Sequence, residues 1–337
     1  MHVGIIGHGT WIPSGKLTAA DLAAATGIPE NVIALKFGVK SKPVAGPGET
    51  TAFMGLAATR KALASAGIEG AAVDLVIWCG AQHKDYPCWL AGLYVSDQIG
   101  AKRAWSFDME AMCGSMMAAL DVAKALMFTH PELETVLLVS GYRNNDLIDL
   151  SVPETRFMLD IGSGGSAVVL KKNAGRNAVL ASSFRGDGSL SEMCIVPTLG
   201  AKAWPPAPGD ITRAHFVVPD EEAFKAKLGE VTMPNFYAVI REAVKRSGWP
   251  EGGIDYLAIL HFKKSAHDGV LAELGLKAEQ STYLDDYGHL GQNDQVLSLE
   301  LGLKSGKIKD GSRIVFVGAG LGFVWAATAI QWGPYTG

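Results

Sequence analysis

Short apolar runs alternate along the chain with longer stretches in which apolar residues recur every three to four positions. The runs "HVGIIGHGTW" (2–11), "VDLVIWC" (73–79) and "ETVLLVSGY" (134–142) have the length and composition of buried strands. Between the first two lies "ETTAFMGLAATRKALASAGI" (49–68), whose apolar residues follow helical spacing. This alternation predicts a mostly parallel, layered α/β architecture.

The second half of the chain repeats the plan of the first. The run "AVLASSFRGDGS" (178–189) leads from an apolar strand into a glycine turn, as the N-terminal run does, and "MPNFYAVIREAVKRSGW" (233–249) is helical in pattern. We therefore predict two related halves, 1–172 and 173–337. No low-complexity linker separates them, so they are expected to share one packed unit, with a long irregular loop only at 197–216.

Composition narrows the class of protein. The chain has 337 residues, of which 48% are hydrophobic and 19% charged, and this profile excludes a disordered or fibrous protein. The formal net charge of −4, without a long basic run, argues against a nucleic-acid partner. Neither a cleavable signal pattern nor an apolar stretch of about 18 residues stands out, so we expect a cytoplasmic protein without a membrane segment.

Four cysteines occur at positions 79, 88, 113 and 194, and no two of them form a C-x-x-C pair. They are too sparse for a disulfide framework or a structural zinc site, so no metal is expected. Three of the four are expected to be reduced residues of the interior.

Cys113 is the exception. It lies in "FDMEAMCGSMMAALDVAKALMF" (107–128), between a short strand-like run and a helix-like one, and Gly114 and Ser115 after it suit a sharp strand-to-helix turn. A thiol at a helix N-terminus is favoured as the thiolate by backbone N–H groups and by the positive end of the helix dipole. Free cysteine is also one of the most frequently buried residue types, so position alone leaves a packed thiol and a nucleophile equally open.

Two histidines lie where functional side chains are often displayed. His261 ends the apolar run "YLAILH", and the carboxyl ends of strands in α/β sheets are where ligands bind, although a histidine there also serves simply to satisfy a backbone group. His289 lies in the glycine-flanked loop "DDYGHLGQND". One cysteine and two histidines at such places have the makings of a nucleophile with its base and oxyanion donors.

The glycine-rich segment "GAGLGF" (318–323) follows a strand near the end of the chain. A dinucleotide-binding interpretation fails, because the third glycine is not at the required offset and no βαβ unit fits in the remaining residues. We instead predict a close backbone approach whose free N–H groups face a ligand oxygen.

These motifs together resemble the thiolase superfamily, most closely its β-ketoacyl-acyl-carrier-protein synthase III branch. The segment "SFDMEAMCGSMMAAL" (106–120) is similar to the active-cysteine segment of that branch, "FGVKSKPVA" (37–45) to its early basic segment, and "FRGDGS" (184–189) to its "ADGS" turn. The stretch from "DYGHLGQND" to "GFVWAATAI" (286–330) resembles the closing segment of the branch throughout. The resemblance covers essentially the whole chain.

The resemblance implies a five-layer αβαβα fold of two duplicated halves, a homodimer, and an acyl-cysteine mechanism on coenzyme A or acyl-carrier-protein thioesters without a further cofactor. Cys113 in the first half matches the nucleophile, and His261 in the second matches the first catalytic histidine. His289 stands where the branch has asparagine, so the Cys-His-His set looks like that of the elongating synthases. The oxyanion would be held by Gly320, Leu321 and Gly322 together with the N–H of Cys113.

The sequence departs from the branch at its expected coenzyme A contacts. Lys36 matches the basic residue that faces the nucleotide, but the tryptophan four residues before it is replaced by Val32. Lys264 replaces the asparagine three residues after the first catalytic histidine. Lys263 and Lys264 form either a solvated face or a docking patch for an acidic carrier protein.

The implied reaction is acylation of Cys113 followed by condensation with a malonyl-type thioester to a β-ketoacyl thioester, with both histidines donating to the thioester oxygen. Three alternatives stay open: acyl transfer to an alcohol or amine, non-decarboxylative thiolase-like chemistry, and an inactive partner subunit. A hydroxymethylglutaryl-coenzyme A synthase is disfavoured, because "WCGAQHKDYP" (78–87) lacks the glutamate that acts there as general acid.

Overall fold

The computed structural model describes residues 1–198, 200–210 and 214–336. The strands are β1 (Val3–Trp11), β2 (Gly15–Thr18), β3 (Ser41–Val44), β4 (Leu75–Trp78), β5 (Trp105–Asp108), β6 (Thr135–Tyr142), β7 (Gly164–Lys172), β8 (Arg176–Gly186), β9 (Tyr256–Ile259), β10 (Arg313–Gly320) and β11 (Val324–Pro334). The helices are α1 (Ala19–Thr26), α2 (Glu30–Val32), α3 (Thr51–Ala66), α4 (Ala91–Gln98), α5 (Ser115–Thr129), α6 (Glu221–Arg246), α7 (Lys264–Glu273) and α8 (Asp294–Lys304). A π-helical turn, Ile33–Phe37, continues α2.

Nine strands form one hydrogen-bonded series in the order β5-β4-β6-β7-β1-β8-β11-β10-β9, while β2 and β3 form a separate hairpin. The series consists of two similar parts, because β1 and β8 share only the pair Gly4 and Ala178. In the first part β4 is parallel to β6, and β7 is antiparallel to both β6 and β1. In the second part β9 is parallel to β10, and β11 is antiparallel to both β10 and β8.

The two parts therefore have the same strand order, except that the second lacks a regular counterpart of β5 among the described residues. An isolated parallel bridge between Leu257 of β9 and Ser281 stands at that place. The division at 172/173 that we predict from the sequence falls between β7 and β8. The repeated strand order agrees with this division, which stays a prediction.

Three hydrophobic clusters separate the layers. Leu75 and Ile77 of β4 face a central cluster that contains the buried sides of α5 and α8, whereas Val76 and Trp78 face an outer cluster with α3 and α4. In the second part, alternate residues of β9 and β10 face the same central cluster or an outer one with α6 and α7. Because strand side chains alternate between faces, this gives five layers, helices-sheet-helices-sheet-helices, and confirms the predicted layered α/β fold class. The expectation of a mostly parallel architecture was wrong, because five of the eight neighbouring strand pairs in the series are antiparallel and only β4–β5, β4–β6 and β9–β10 are parallel.

Helix α5 lies in the middle layer and is apolar on nearly all sides. From the sequence we expected no apolar stretch of membrane-spanning length. The 18-residue stretch Met112–Thr129, with a mean hydropathy of 1.3, is nevertheless long and apolar enough to cross a membrane. Packing explains that composition, because Met116, Leu120 and Ala123 are fully buried between the two sheets.

Several sequence predictions need correction. Strand β9 ends at Ile259, so His261 lies in the segment after the strand and not at its end. Helix α6 begins at Glu221, well before the predicted start, and continues through Pro234. Its start is fixed by Asp220, whose side chain accepts the N–H of Ala223 at 2.9 Å.

The cysteine prediction was partly wrong. Cys79 and Cys194 are buried, as expected, but Cys88 is exposed. Cys88 has φ of 52°, a left-handed conformation typical of a surface turn. Of the irregular loop predicted at 197–216, residues 199 and 211–213 lie outside the described residues, and the remainder holds one short 3₁₀ turn, Ala201–Ala203.

Candidate active site

Cys113 lies in a closed turn between β5 and α5. The Ser115 hydroxyl donates to the Met112 carbonyl at 2.6 Å and accepts the Ala111 N–H at 2.8 Å, so one side chain binds both sides of the turn. Met112 has φ of 49°, an uncommon conformation for a side chain of its size. The turn places Cys113 two residues before the first residue of α5, as the sequence predicts.

Strand β10 closely approaches this turn from the other half of the chain. A Cβ at Gly320 would lie 2.5 Å from the Met112 Cβ and 2.7 Å from the Cys113 nitrogen. A Cβ at Gly318 would lie 2.8 Å from the Cys113 carbonyl oxygen. Both glycines are therefore required by the close approach of two backbones.

His289 is the direct partner of Cys113. Its Nε2 lies 3.2 Å from the Cys113 Sγ, and its Nδ1 lies 2.6 Å from an Asp294 carboxylate oxygen. Because a carboxylate only accepts, Nδ1 donates to Asp294 and Nε2 is directed at the sulfur. The three residues have the geometry of a nucleophile, a base and an orienting acid in hydrogen-bonded sequence.

The electrostatics of this triad favour a charged imidazole. Burial lowers the pKa of His289, but Asp294 and the sulfur of Cys113 together raise it well above its ordinary 6.5. Burial raises the pKa of Tyr142 well above 10, and the neighbouring Cys113 sulfur raises it further, so the phenol stays neutral. The Cys113 sulfur is thus hydrogen bonded to the imidazolium of His289.

Asp294 also fixes the backbone around both histidines. Besides the His289 ring, its carboxylate accepts the N–H of His261 at 2.8 Å and the N–H of Leu290 at 2.7 Å. The Asp294 side chain is fully buried. Three donors around one buried carboxylate compensate for its loss of solvent.

His261 lies on the wall of the same cavity but contacts different partners. Its Nδ1 lies 2.7 Å from Asp160 Oδ2, and its Nε2 lies 3.1 Å from the carbonyl oxygen of Gly38. A carboxylate and a carbonyl both accept, so the two contacts are satisfied together only while both ring nitrogens carry hydrogen. The predicted donation from His261 to a thioester oxygen therefore requires Nε2 to leave the Gly38 carbonyl.

Lys42 is a buried lysine close to Asp160, the carboxylate partner of His261. Burial lowers the pKa of Lys42 from 10.5 to about 8, and Asp160 acts against that fall. The Lys42 Nζ donates to the Ile161 carbonyl at 2.8 Å. Burial raises the pKa of Asp160, but His261, His289 and Lys42 lower it below its ordinary value. The Asp160 carboxylate is thus ionised.

A cavity of about 210 Å³ opens over these residues. Cys113, His261, His289 and Asp160 are among the polar residues that line it. Most of its remaining lining is aromatic or aliphatic, including Phe157, Phe236 and Phe323. An apolar cleft with a few converging polar groups is typical of a small-molecule site.

The predicted oxyanion loop is the tip of the β10–β11 hairpin. Gly320 contacts the Cys113 turn, and Leu321 lines the cavity. Gly322 has φ of 127°, which an L side chain rarely adopts. The segment opens no helix, which agrees with our rejection of dinucleotide binding. Oxyanion binding by Gly320, Leu321 and Gly322 stays a prediction.

Lys36 and Lys264 lie outside the cavity, on segments that flank His261. Lys36 is exposed on the π-helical turn, next to Phe37, whose ring lies 5.6 Å from the Lys263 Nζ. Lys264 begins α7 and forms an ion pair with Asp268. Both lysines thus lie near the Gly38 contact of His261, and their binding of coenzyme A stays a prediction.

Sequence reasoning missed four residues of the site: Asp160, Asp294, Lys42 and Tyr142. Asp294 had a local signal, since it lies five residues after His289 in the same segment. The others are brought in by the fold from distant strands and turns. Burial raises the pKa values of Cys79 and Cys194 to about 12, and within the described residues neither of these cysteines has a histidine partner as Cys113 does.

Two family models match the chain. Residues 107–188 match the family model of 3-oxoacyl-[acyl-carrier-protein] synthase III, and residues 244–332 match the model of its C-terminal part. Together the two matches cover about half of the chain and include Cys113, His261 and His289.

Curated relatives and solved structures match over nearly the whole chain. The β-ketoacyl-[acyl-carrier-protein] synthase III of Agrobacterium fabrum is 26% identical, covering 97% of this chain and 98% of the relative. The crystal structure of 3-oxoacyl-(acyl carrier protein) synthase III from Pseudomonas aeruginosa has a TM-score of 0.85 at 23% identity and covers 100% of both chains. A priming β-ketosynthase of a polyketide pathway has a TM-score of 0.86 at 22% identity, covering 99% of this chain and 97% of that one.

Proposed function

The chain belongs to the 3-oxoacyl-[acyl-carrier-protein] synthase III-like condensing enzymes of the thiolase superfamily, and we propose that it forms an acyl-cysteine on Cys113 and condenses it with a malonyl-type thioester. The contact of 3.2 Å between His289 Nε2 and Cys113 Sγ carries the proposal, because it joins a nucleophile to an acid-base partner.

In the first step the Cys113 sulfur attacks the thioester carbonyl. The new carbon–sulfur bond forms as the bond to the leaving thiol breaks, and His289 returns the proton to that thiol. The oxyanion is held by the Cys113 N–H and by the loop at Gly320, Leu321 and Gly322, each donor contributing about 3 kcal/mol where such groups have been measured.

In the second step a malonyl-type thioester loses carbon dioxide, and its enolate carbon attacks the acyl-cysteine. The carbon–carbon bond forms as the bond to the Cys113 sulfur breaks, which restores the thiolate and releases a β-ketoacyl thioester. Once the leaving thiol has departed, His289 takes up a proton from solvent at Nε2, and His289 and His261 then donate hydrogen bonds to the enolate oxygen. Coenzyme A or an acyl carrier protein supplies the thioesters, with Lys36 and Lys264 at the rim as contacts for the carrier, and no other cofactor takes part.

The hydrogen bond between His289 and the carboxylate of Asp294 also favours a second function. Once Cys113 is acylated, Nε2 of a base oriented by Asp294 is free to remove a proton from an alcohol or amine, which then takes the acyl group. No carbon dioxide is released in this reaction. The measured product therefore separates it from condensation.

We also propose that the protein is a homodimer. Strand β5 is the edge of the nine-stranded series, and its Trp105 is 53% exposed. Tyr86, Leu90, Leu93 and Tyr94, on and just before the neighbouring α4, are exposed as well. An uncovered apolar patch beside an open strand edge is characteristic of a surface that pairs with a second copy.

The proposed function is tested with a panel of acyl-coenzyme A donors and intact-protein mass spectrometry. We expect an added acyl mass on Cys113, and then its loss on addition of malonyl-coenzyme A or malonyl carrier protein, with carbon dioxide and a β-ketoacyl thioester as products. The variant Cys113→Ala, which retains the exposed Cys88, is the control. Absence of any adduct on Cys113 would instead support an inactive partner subunit.

A further inference from the structure

The apolar cavity over Cys113 contains buried polar atoms that the reaction does not use. Asn144 Oδ1, Thr232 Oγ1 and Gln292 Oε1 are buried and have no hydrogen-bond partner within the described part of the chain, and all three residues line the cavity. Asn144 is 9% exposed and Gln292 is 0% exposed. Such groups cost free energy, and native proteins rarely leave them unpaired without a functional reason.

The two amide side chains are held at the catalytic end. Gln292 lies three residues after His289, and its Nε2 donates to the Ser140 hydroxyl of β6 at 2.7 Å. Ser140 satisfies only one end of the amide, so the carbonyl end stays unpaired beside the cavity. Asn144 follows the end of β6, two residues after Tyr142.

Thr232 lies on the opposite wall, on α6. Leu228 and Phe236, one turn before and after it, also line the cavity, so Thr232 is on the face of the helix that is turned toward the site. A hydroxyl in the middle of an otherwise apolar stripe is unfavourable for packing alone.

The character of the three atoms specifies the ligand group. Two are carbonyl oxygens, which only accept, and the third is a hydroxyl, which donates and accepts. A carboxylate does not fit them, because it would face two acceptors, and among the described lining residues there is neither lysine nor arginine. A ligand hydroxyl fits, because it donates to an amide oxygen while accepting from Thr232.

We propose that the acyl group delivered to Cys113 is short and carries a hydroxyl, which Asn144, Thr232 and Gln292 bind. The inference rests on the proposed acyl-cysteine function and adds the substrate class. The cavity of about 210 Å³ is below the range of about 300–1,000 Å³ typical of sites for larger ligands, in keeping with a short chain.

The test compares donors of equal chain length on the purified full-length protein: butyryl-coenzyme A and its 2-, 3- and 4-hydroxy derivatives. Two further donors, 3-aminobutyryl- and succinyl-coenzyme A, carry an amine or a carboxylate in place of the hydroxyl. The initial rate of adduct formation on Cys113 is measured by mass spectrometry. We expect at least one hydroxy isomer to react about tenfold or more faster than butyryl-coenzyme A, since sites built to bind a hydroxyl reject analogues that lack it.

Two variants of Thr232 test whether its hydroxyl causes the preference for a hydroxy donor. Thr232→Val should reduce the preference to within about threefold, whereas Thr232→Ser should retain it. Thr59→Val is the matched control, because Thr59 Oγ1 is also buried and unpartnered among the described residues but lies on α3, outside the cavity. An equal loss of preference in Thr59→Val and Thr232→Val would contradict the assignment.

The comparison of donors on the unaltered protein does not depend on any variant's folding. If butyryl-, aminobutyryl- or succinyl-coenzyme A reacts as fast as the best hydroxy isomer, the hydroxyl inference is overturned while the acyl-cysteine function stands. If no donor forms an adduct, the proposed function fails and the inference fails with it.

Discussion

The imidazole of His289 is hydrogen bonded to the Cys113 sulfur, with Nε2 and Sγ 3.2 Å apart. The nucleophile therefore has a histidine partner that is itself oriented by Asp294. His261, the other histidine of the site, is directed at Asp160 and Gly38. The two histidines thus have separate acceptors, and their roles are separable by substitution.

Asp294→Asn should slow the alkylation of Cys113 by iodoacetamide at pH 7 by roughly tenfold, since each unit by which the pKa of His289 falls lowers the ratio of charged to neutral imidazole tenfold. The physical reason is loss of the carboxylate that raises the pKa of His289. Mass spectrometry of the labelled cysteines measures the rate. The exposed Cys88 in the same sample is the internal reference, and an unchanged ratio of Cys113 to Cys88 labelling would refute the coupling.

His289→Asn should change the pH dependence of Cys113 acylation. In the unaltered enzyme, acylation should fall as pH rises through the raised pKa of His289, because the proton for the leaving thiol is lost. The asparagine variant retains a donor but has no such group, so its rate should rise with pH as the thiolate forms. His289→Ala, which lacks the donor as well, should be slower at every pH. Superimposable profiles for the asparagine variant and the parent would show that His289 does not act in catalysis.

Lys42→Met should alter the pH dependence of stability. The folded pKa of Lys42 is about 8 and its ordinary value is 10.5, so between these values the unfolded chain holds a proton that the folded protein has lost. The free energy of unfolding of the parent should therefore rise relative to the variant across pH 8 to 10.5, by about 2 to 3 kcal/mol. Urea unfolding at several pH values measures it. A constant difference between the two proteins would contradict the lowered pKa.

Gly320→Ala should destabilise the protein by about 1–3 kcal/mol and reduce acylation by at least about tenfold, because the new methyl overpacks the nucleophile turn. The added Cβ would lie 2.7 Å from the Cys113 nitrogen. The control is Gly229→Ala on α6, where a Cβ meets no atom within 4 Å. Thermal unfolding and adduct formation measure both effects, and equal behaviour of the two variants would argue against the close approach.

Trp105→Glu should convert a dimer to a monomer, because the charge is placed on the apolar patch at the open edge of the sheet. Trp204→Glu alters a tryptophan that is 75% exposed and lies far along the chain from this patch, and it should leave the dimer intact. Analytical ultracentrifugation distinguishes the two states. A monomer for the unaltered protein would end the dimer proposal.

Much of the fold follows from local patterns. The apolar runs and helical spacings predict the principal strands and helices, since burial on one or both faces leaves a periodic record in the sequence. The length of helix α6 was underestimated from the sequence, because its first half is rich in charged residues and has little apolar periodicity before Pro234. The exposure of Cys88 depends on a turn conformation that composition does not reveal.

The site was only half accessible to sequence reasoning. We singled out Cys113 and His289 because they lie next to glycines in predicted turns, and His261 because it follows an apolar run. The contacts of Asp160 and Lys42 were not, because they depend on the packing of β3 against the segment before β7. A buried charge has no local pattern when its partners come from distant parts of the chain.

The repeated strand order shows that the Cys113–His289 contact joins equivalent positions of the two repeats. Cys113 lies two residues before α5, and His289 lies two residues before the short turn Gly291–Asn293 that leads into α8, so each residue occupies the entry to the middle-layer helix of its own repeat. Neither repeat contains the pair. In the proposed mechanism, catalytic competence therefore depends on the register between the two repeats, and a displacement of one against the other by little more than an atomic diameter would abolish it.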